Sequence, residues 1–133
     1  MPRSPFISRP WILAVLMLAS LVVSAGGWSK PPENAASTIQ YLLKYVADSG
    51  LNFIRNSKSH DAADAAKHMN DKYQYYKKQM GTPEDFIRLC ASKSLVTGKP
   101  YLVVMENGDE VRTGDWLLEA LTSYRNSQAA NAD

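Results

Sequence analysis

A single cysteine, Cys90, occurs in the 133 residues, so no disulfide can form within the chain. The covalent staple common in small exported domains is therefore missing, and stability must come from a hydrophobic core. About 90 ordered residues suffice for one such core and not for two. Long apolar stretches are missing as well. Residues 11–23 form an apolar run of 13, short of the roughly 20 that a spanning helix needs. Arg3 and Arg9 precede that run and the small residues Val23-Ser24-Ala25 close it, the three-part pattern of a secretory signal peptide cleaved near Ala25. Retention of the run as an N-terminal anchor is the alternative. No cysteine stands at the cleavage point, which argues against a lipoprotein anchor.

A surplus of one charge is also lacking. Of the 15 lysines and arginines, Arg3 and Arg9 leave with the signal segment, and the 13 that remain equal the 13 acidic residues. A neutral chain without a basic cluster lacks the electrostatic footprint of a nucleic-acid binder, and anionic membrane surfaces are disfavoured for the same reason. Neither nucleic acid nor a stable membrane anchor after cleavage is expected.

Residues 26–37 are rich in Gly, Pro and Ser and read as a linker, and 126–133 read as a disordered tail, leaving a single domain over 38–125. Ile39, Leu42, Leu43 and Val46 fall at helical spacing, with a capping-box pattern at Ser37 and Gln40 and a stop at Gly50. Leu51 to Arg55 read as a strand. Ser59 suits the cap of a second helix that runs to about Gln79, with Asp61 in its first turn. Thr82-Pro83-Glu84-Asp85 is a strong start for a short third helix. Two strand signals then flank Asn107-Gly108, a pair suited to a type I′ hairpin turn. Thr113 or Asp115 caps a last helix from Trp116 to about Tyr124. The expected fold is a small single α+β domain of order α-β-α-α-β-β-α, its helices packed on a short antiparallel sheet that contains a β-hairpin.

Chemistry-bearing residues are few. His60, Asp64 and His68 advance by about 40° per step if all three lie on one helix. Relative to a core stripe through Ala62, Ala65, Ala66, Met69, Tyr73, Tyr76 and Met80, His60 then points away, Asp64 leans outward and His68 sits at the border. A zinc site normally takes four ligands, so no metal or other cofactor is expected. Cys90 lies on an apolar face with Phe86 and Ile87 and reads as a buried thiol rather than a nucleophile. Gly98-Lys99 fails as a phosphate loop, since Lys93 stands where glycine is needed and Pro100 opposes the helix. Neither Ser92 nor Ser94 has a lysine three residues on, so a serine-lysine hydrolase motif is absent. Tyr73, Tyr75 and Tyr76 with Lys72, Lys77 and Lys78 read as core plus solvated face.

Taken in order, "FIRN" (53–56), "AAKHM" (65–69), "TPEDFI" (82–87), "ASKS" (91–94), "TGKPYLV" (97–103) and "GDWL" (114–117) resemble the YfeK-like family of small exported proteins of Gram-negative bacteria, a domain of unknown function. The resemblance implies a periplasmic location and no particular activity. It picks out Arg55, Asn56, His68, Lys72, Ser92, Ser94, Lys99 and Tyr101 as shared polar positions. Ser57 departs from a glycine expected after "RN", and Cys90 replaces an aliphatic residue. Structural roles are available to several of these positions: Arg55 pairing with Glu84, Asn56 capping a turn, and Ser92 and Ser94 satisfying a helix end.

The leading expectation is a non-enzymatic periplasmic binding or accessory module for an envelope ligand or protein. Arg55, Lys72 and Lys99 would contact an anionic group, with His68 nearby, where the first strand, the second helix and the 91–101 loop converge. A small envelope hydrolase with His68 as general base, and an envelope stress or assembly protein acting through a surface patch, are the alternatives.

Overall fold

The computed structural model describes residues 33–132. The run read as a signal peptide and the first part of the 26–37 linker lie outside the described residues. Helix α1 (Ala35–Asp48) buries Ile39, Leu42, Leu43 and Val46, the stripe its spacing predicts. Its cap is Asn34 rather than Ser37. The Asn34 side chain accepts a hydrogen bond from the Ser37 N–H at 3.1 Å, so the helix starts earlier than expected and takes in the end of the linker. Gly50, at φ +66°, adopts the left-handed conformation that ends it.

The first strand is doubled. β1 (Asn52–Arg55) turns back into β2 (Lys58–His60) through Asn56-Ser57, both at positive φ, +50° and +66°. Two positive-φ residues between paired strands are the mark of a type I′ turn, formed here without the expected glycine. Ser59 therefore lies in a strand opposite Ile54 and caps nothing. The cap of α2 (Ala62–Tyr76) is Asp61, whose carboxylate accepts the Asp64 N–H at 2.8 Å. A 3₁₀ turn over Lys77–Gln79 completes this arm.

Helix α3 (Pro83–Phe86) opens with the predicted cap. The Thr82 hydroxyl accepts the Asp85 N–H, the Asp85 carboxylate accepts the Thr82 N–H, and Pro83 occupies the first turn. It continues as a π-helical turn, Ile87–Ala91. Strands β3 (Leu102–Val104) and β4 (Glu110–Arg112) follow, but the link between them differs from a two-residue type I′ turn. Only Gly108 is left-handed, at φ +91°, and its N–H donates to the Met105 carbonyl while the Met105 N–H donates to the Asp109 carbonyl. That is the bulged three-residue loop. Asn107 sets it by accepting the Asp109 N–H at 3.0 Å.

Helix α4 (Thr113–Ala130) follows β4 without a break. Neither Thr113 nor Asp115 caps it by a side chain; Thr113 is its first residue, and Arg112 stands at the cap. The helix also runs well beyond Tyr124, through most of the stretch read as a loose tail. Just past the expected end, the Arg125 guanidinium ties α4 to Glu33, which precedes α1, with Nη2 to Oε2 at 2.8 Å, and also pairs with Glu84 of α3. Both carboxyl groups are held below their ordinary range by this arginine. Glu84 thus pairs with Arg125 and not with Arg55.

The sheet order is β2-β1-β3-β4, antiparallel throughout. Phe53 and Val103 pair across β1 and β3 and face Met69, Phe86, Leu117 and Leu121 in one core. No helix among the described residues is long and apolar enough to cross a membrane.

Candidate functional site

Side chains alternate along a strand, so β1 presents Leu51, Phe53 and Arg55 to the helices. The register pairs Phe53 with Val103 and Ile54 with Leu102. Continuing it sets Tyr101 opposite Arg55 and Met105 opposite Leu51. The helices cover the middle of this double row, where Phe53 and Val103 are buried. One end is therefore polar and the other apolar.

At the polar end Tyr101 is buried and its hydroxyl reaches α2. The oxygen lies 3.5 Å from His68 Nε2 and accepts from Lys72 Nζ at 3.3 Å. His68 and Lys72 are four residues apart on α2, hence on one face. The Lys72 ammonium also stands 5.2 Å from the Tyr101 ring centroid and donates to the Lys93 carbonyl at 3.4 Å. Arg55 lines a small cleft with His68, Tyr101, Phe53 and Met69. Its cavity of about 20 Å³ has room for a water-sized group.

The electrostatics follow from this packing. Burial lowers the His68 pKa below its ordinary value, and the charges of Arg55 and Lys72 lower it further, against a weaker pull from Asp71 and Asp64. Burial likewise lowers Lys72, with Arg55 adding to the effect. Tyr101 is raised, chiefly by burial. Two cations and a histidine thus crowd one spot, and among the described residues neither Arg55 nor Lys72 makes an ion pair with a carboxylate. A cluster of like charge without a counter-charge favours an anion.

The remaining shared polar positions have structural partners. Asn56 Oδ1 accepts from the Thr97 hydroxyl at 2.8 Å, tying the β1–β2 turn to the 94–99 loop. Ser92 donates its hydroxyl to the Ile87 carbonyl at 2.7 Å and closes the π turn. Ser94 is buried and accepts the N–H groups of Val96 and Thr97. Lys99 is exposed on that loop, its N–H donating to Thr97. The structure therefore sets Arg55, His68 and Tyr101 in the lining of one cleft and joins Lys72 to them through the Tyr101 hydroxyl, while Lys72 itself and Lys99 lie outside that lining.

His60 is the residue that helical angles misplaced. It belongs to β2, opposite Phe53, so its side chain faces α2 and lines the same cleft as His68. Its Nδ1 lies 2.5 Å from Asp64 Oδ2. The polar turn "NSKSH" carries no hydrophobic strand signal, and only its pairing with β1 reveals the position. Among the described residues no three His, Cys, Asp or Glu side chains gather closely enough to hold a metal ion. Cys90 is fully buried, and burial pushes its thiol up to about 11 against the opposing charge of Lys72, so it remains protonated at neutral pH.

A small α+β domain with an uncompensated cation cluster at one end of its sheet is what this chain builds. The chain belongs to the family of unknown function DUF5329, whose model matches residues 33–125, from the start of α1 to Arg125. It is similar to the uncharacterized protein YfeK of Salmonella typhimurium (strain LT2), being 30% identical over 88 residues that make up 65% of this chain and 73% of that protein. No solved structure matches it.

Proposed function

We propose that this protein is an exported, periplasmic binding or accessory module of the Gram-negative envelope. It recognises an anionic group on a ligand or partner through Arg55, Lys72, His68 and the Tyr101 hydroxyl. The observation that carries this reading is the convergence of Arg55 and half-buried Lys72 on one spot with no carboxylate paired to either. Export rests on the signal pattern of residues 1–25. A hydrolase built on His68 is less well supported, because the hydroxyls of Ser92 and Ser94 are committed to backbone groups and the Cys90 thiol is protonated.

Inorganic phosphate is the simplest probe. Titrated into the protein at low ionic strength, it is expected to bind saturably and to perturb the amide resonances of Arg55, His68 and Lys72. Lys72→Met or Arg55→Met, which keep the aliphatic stem, should weaken binding about ten-fold or more, as loss of a charge-assisted contact does. Equal binding by the parent and both variants would sink the proposal. Export is tested by expressing the whole chain with a C-terminal tag in a Gram-negative host. Release by osmotic shock of a product shortened by roughly 25 residues is expected, and retention in the cytoplasm at full length would contradict it.

A further inference from the structure

The apolar end of the β1–β3 double row carries a second surface. Leu51, Met105 and Val111 form its floor. Helix α1 adds Tyr41 and Tyr45 from a stripe separate from its core-facing residues, and α4 adds Trp116. These residues enclose a groove of about 740 Å³, within the range of roughly 300–1,000 Å³ that ligand sites occupy. The rings form a rail from core to solvent. Trp116 meets Phe53 at 5.7 Å and Tyr45 at 4.8 Å between centroids, and Tyr41 stacks on Tyr124 at 4.2 Å. Tyr41 and Tyr45 are nevertheless 37% and 38% exposed. Rings held by one another on one side and open on the other cost little to desolvate further and lose little rotamer freedom on binding.

The rim decides what fits. Lys44 is spent on Asp48, 2.5 Å away on the same helix. Glu106 and Asp109, from the β3–β4 loop that forms one wall, make no ion pair among the described residues, and the Asp109 carboxylate accepts from the neutral Asn107 amide. The groove's uncompensated charge is negative, and the faces of its tyrosines attract cations. An aromatic, apolar floor under a negative rim selects a partner with apolar side chains interspersed with positive ones.

We propose that this groove docks a basic, apolar peptide segment of a partner protein. Its aliphatic or aromatic side chains would lie on Leu51, Met105 and Val111, and its lysine or arginine side chains would reach Glu106, Asp109 and the tyrosine faces. This surface is distinct from the cation cluster, of opposite charge preference and at the opposite end of the same strands. The two tests therefore fail independently.

The probe is a fluorescently labelled synthetic dodecapeptide alternating Leu and Pro with Arg, compared with a version in which every Arg is Glu. Anisotropy should show saturable binding of the basic peptide in the micromolar range and none of the acidic one, with weakening at 0.5 M salt as expected for rim charges. Amide resonances of Asn107 and Val111 should move during the titration. Glu106→Lys, at an exposed turn position, should weaken binding about five-fold with Tm unchanged, and Tyr45→Ala about ten-fold. Lys72→Met should leave peptide binding intact. Equal binding of both peptides, no effect of either groove variant, or perturbation of the groove by a neutral oligosaccharide such as chitotetraose but not by the peptide would overturn the proposal.

Discussion

Phe86→Ala is expected to destabilise the fold by about 3–5 kcal/mol, the usual cost of emptying a buried phenylalanine site. In a domain of this size that lowers Tm by at least about 12 °C. Phe86 is fully buried and stands edge-on to Tyr73, ring centroids 5.9 Å apart and planes at 87°. Helix α3 spans only Pro83–Phe86 before it gives way to the π turn, so it has too few hydrogen bonds to persist by itself. Its capping box fixes where the segment begins, and Phe86 fixes it to the core. Thermal and urea unfolding followed by circular dichroism measure the effect. A loss below about 1 kcal/mol would mean that the π turn and the capping box hold α3 without the ring.

The second large effect concerns Gly114, the first residue of "GDWL". Its φ is not in the left-handed region, so the usual argument for glycine does not apply. A Cβ placed there would lie 2.6 Å from the Ser92 hydroxyl oxygen and 3.3 Å from Ser92 Cβ. Helix propensity alone would make alanine better than glycine by about 1 kcal/mol. The contact outweighs it, because the Ser92 hydroxyl is fixed by its bond to the Ile87 carbonyl. Gly114→Ala should therefore destabilise by about 1–3 kcal/mol. Ser92→Ala alone should cost about 1 kcal/mol for the lost hydrogen bond. The double variant should be more stable than the sum of the two losses, since removing the hydroxyl oxygen removes the 2.6 Å contact and leaves only the milder one of 3.3 Å to the Cβ of residue 92. Additive losses in a denaturation cycle would show that Gly114 is required for some other reason.

Much of the fold is written in local sequence. The α1 stripe, the Gly50 stop and the Thr82 capping box each depend on residues within one or two turns, and the structure reproduces them. Features that depend on distant partners were not legible. Strand β2 is three polar residues held by pairing with β1, so its composition hides it. The type I′ turn forms at Asn56-Ser57, where no hairpin was expected and without glycine, while Asn107-Gly108 forms a bulged loop. The pairing of Arg125 with Glu33 and Glu84, which ties α4 to segments distant in sequence, is likewise invisible in any local window.

The candidate site divides along the same line. His68 and Lys72 follow from helical spacing, and Tyr101 and Arg55 from the family resemblance; the register of β1 and β3 explains why these four meet. His60 is not legible because it belongs to β2, while its spacing to Asp64 and His68 matches a helix. The aromatic groove escaped entirely, since Tyr41 and Tyr45 become a surface feature only when α4 brings Trp116 and Tyr124 against them.

A proton on His68 and an anion at the cation cluster should favour each other's binding. Burial and the charges of Arg55 and Lys72 hold the His68 pKa below its ordinary 6.5. An anion bound between them offsets those charges and favours the protonated imidazole, so it must raise that pKa. By linkage the anion then binds more tightly as pH falls through the His68 midpoint. The most direct measurement is a pH titration of the His68 imidazole by NMR, with and without inorganic phosphate at matched ionic strength. The His68 midpoint is expected below 6.5, moving up by roughly 0.5 or more with phosphate in the parent protein and much less in Lys72→Met. A His68 midpoint at or above 6.5, or one that phosphate leaves in place, would contradict the proposed anion site.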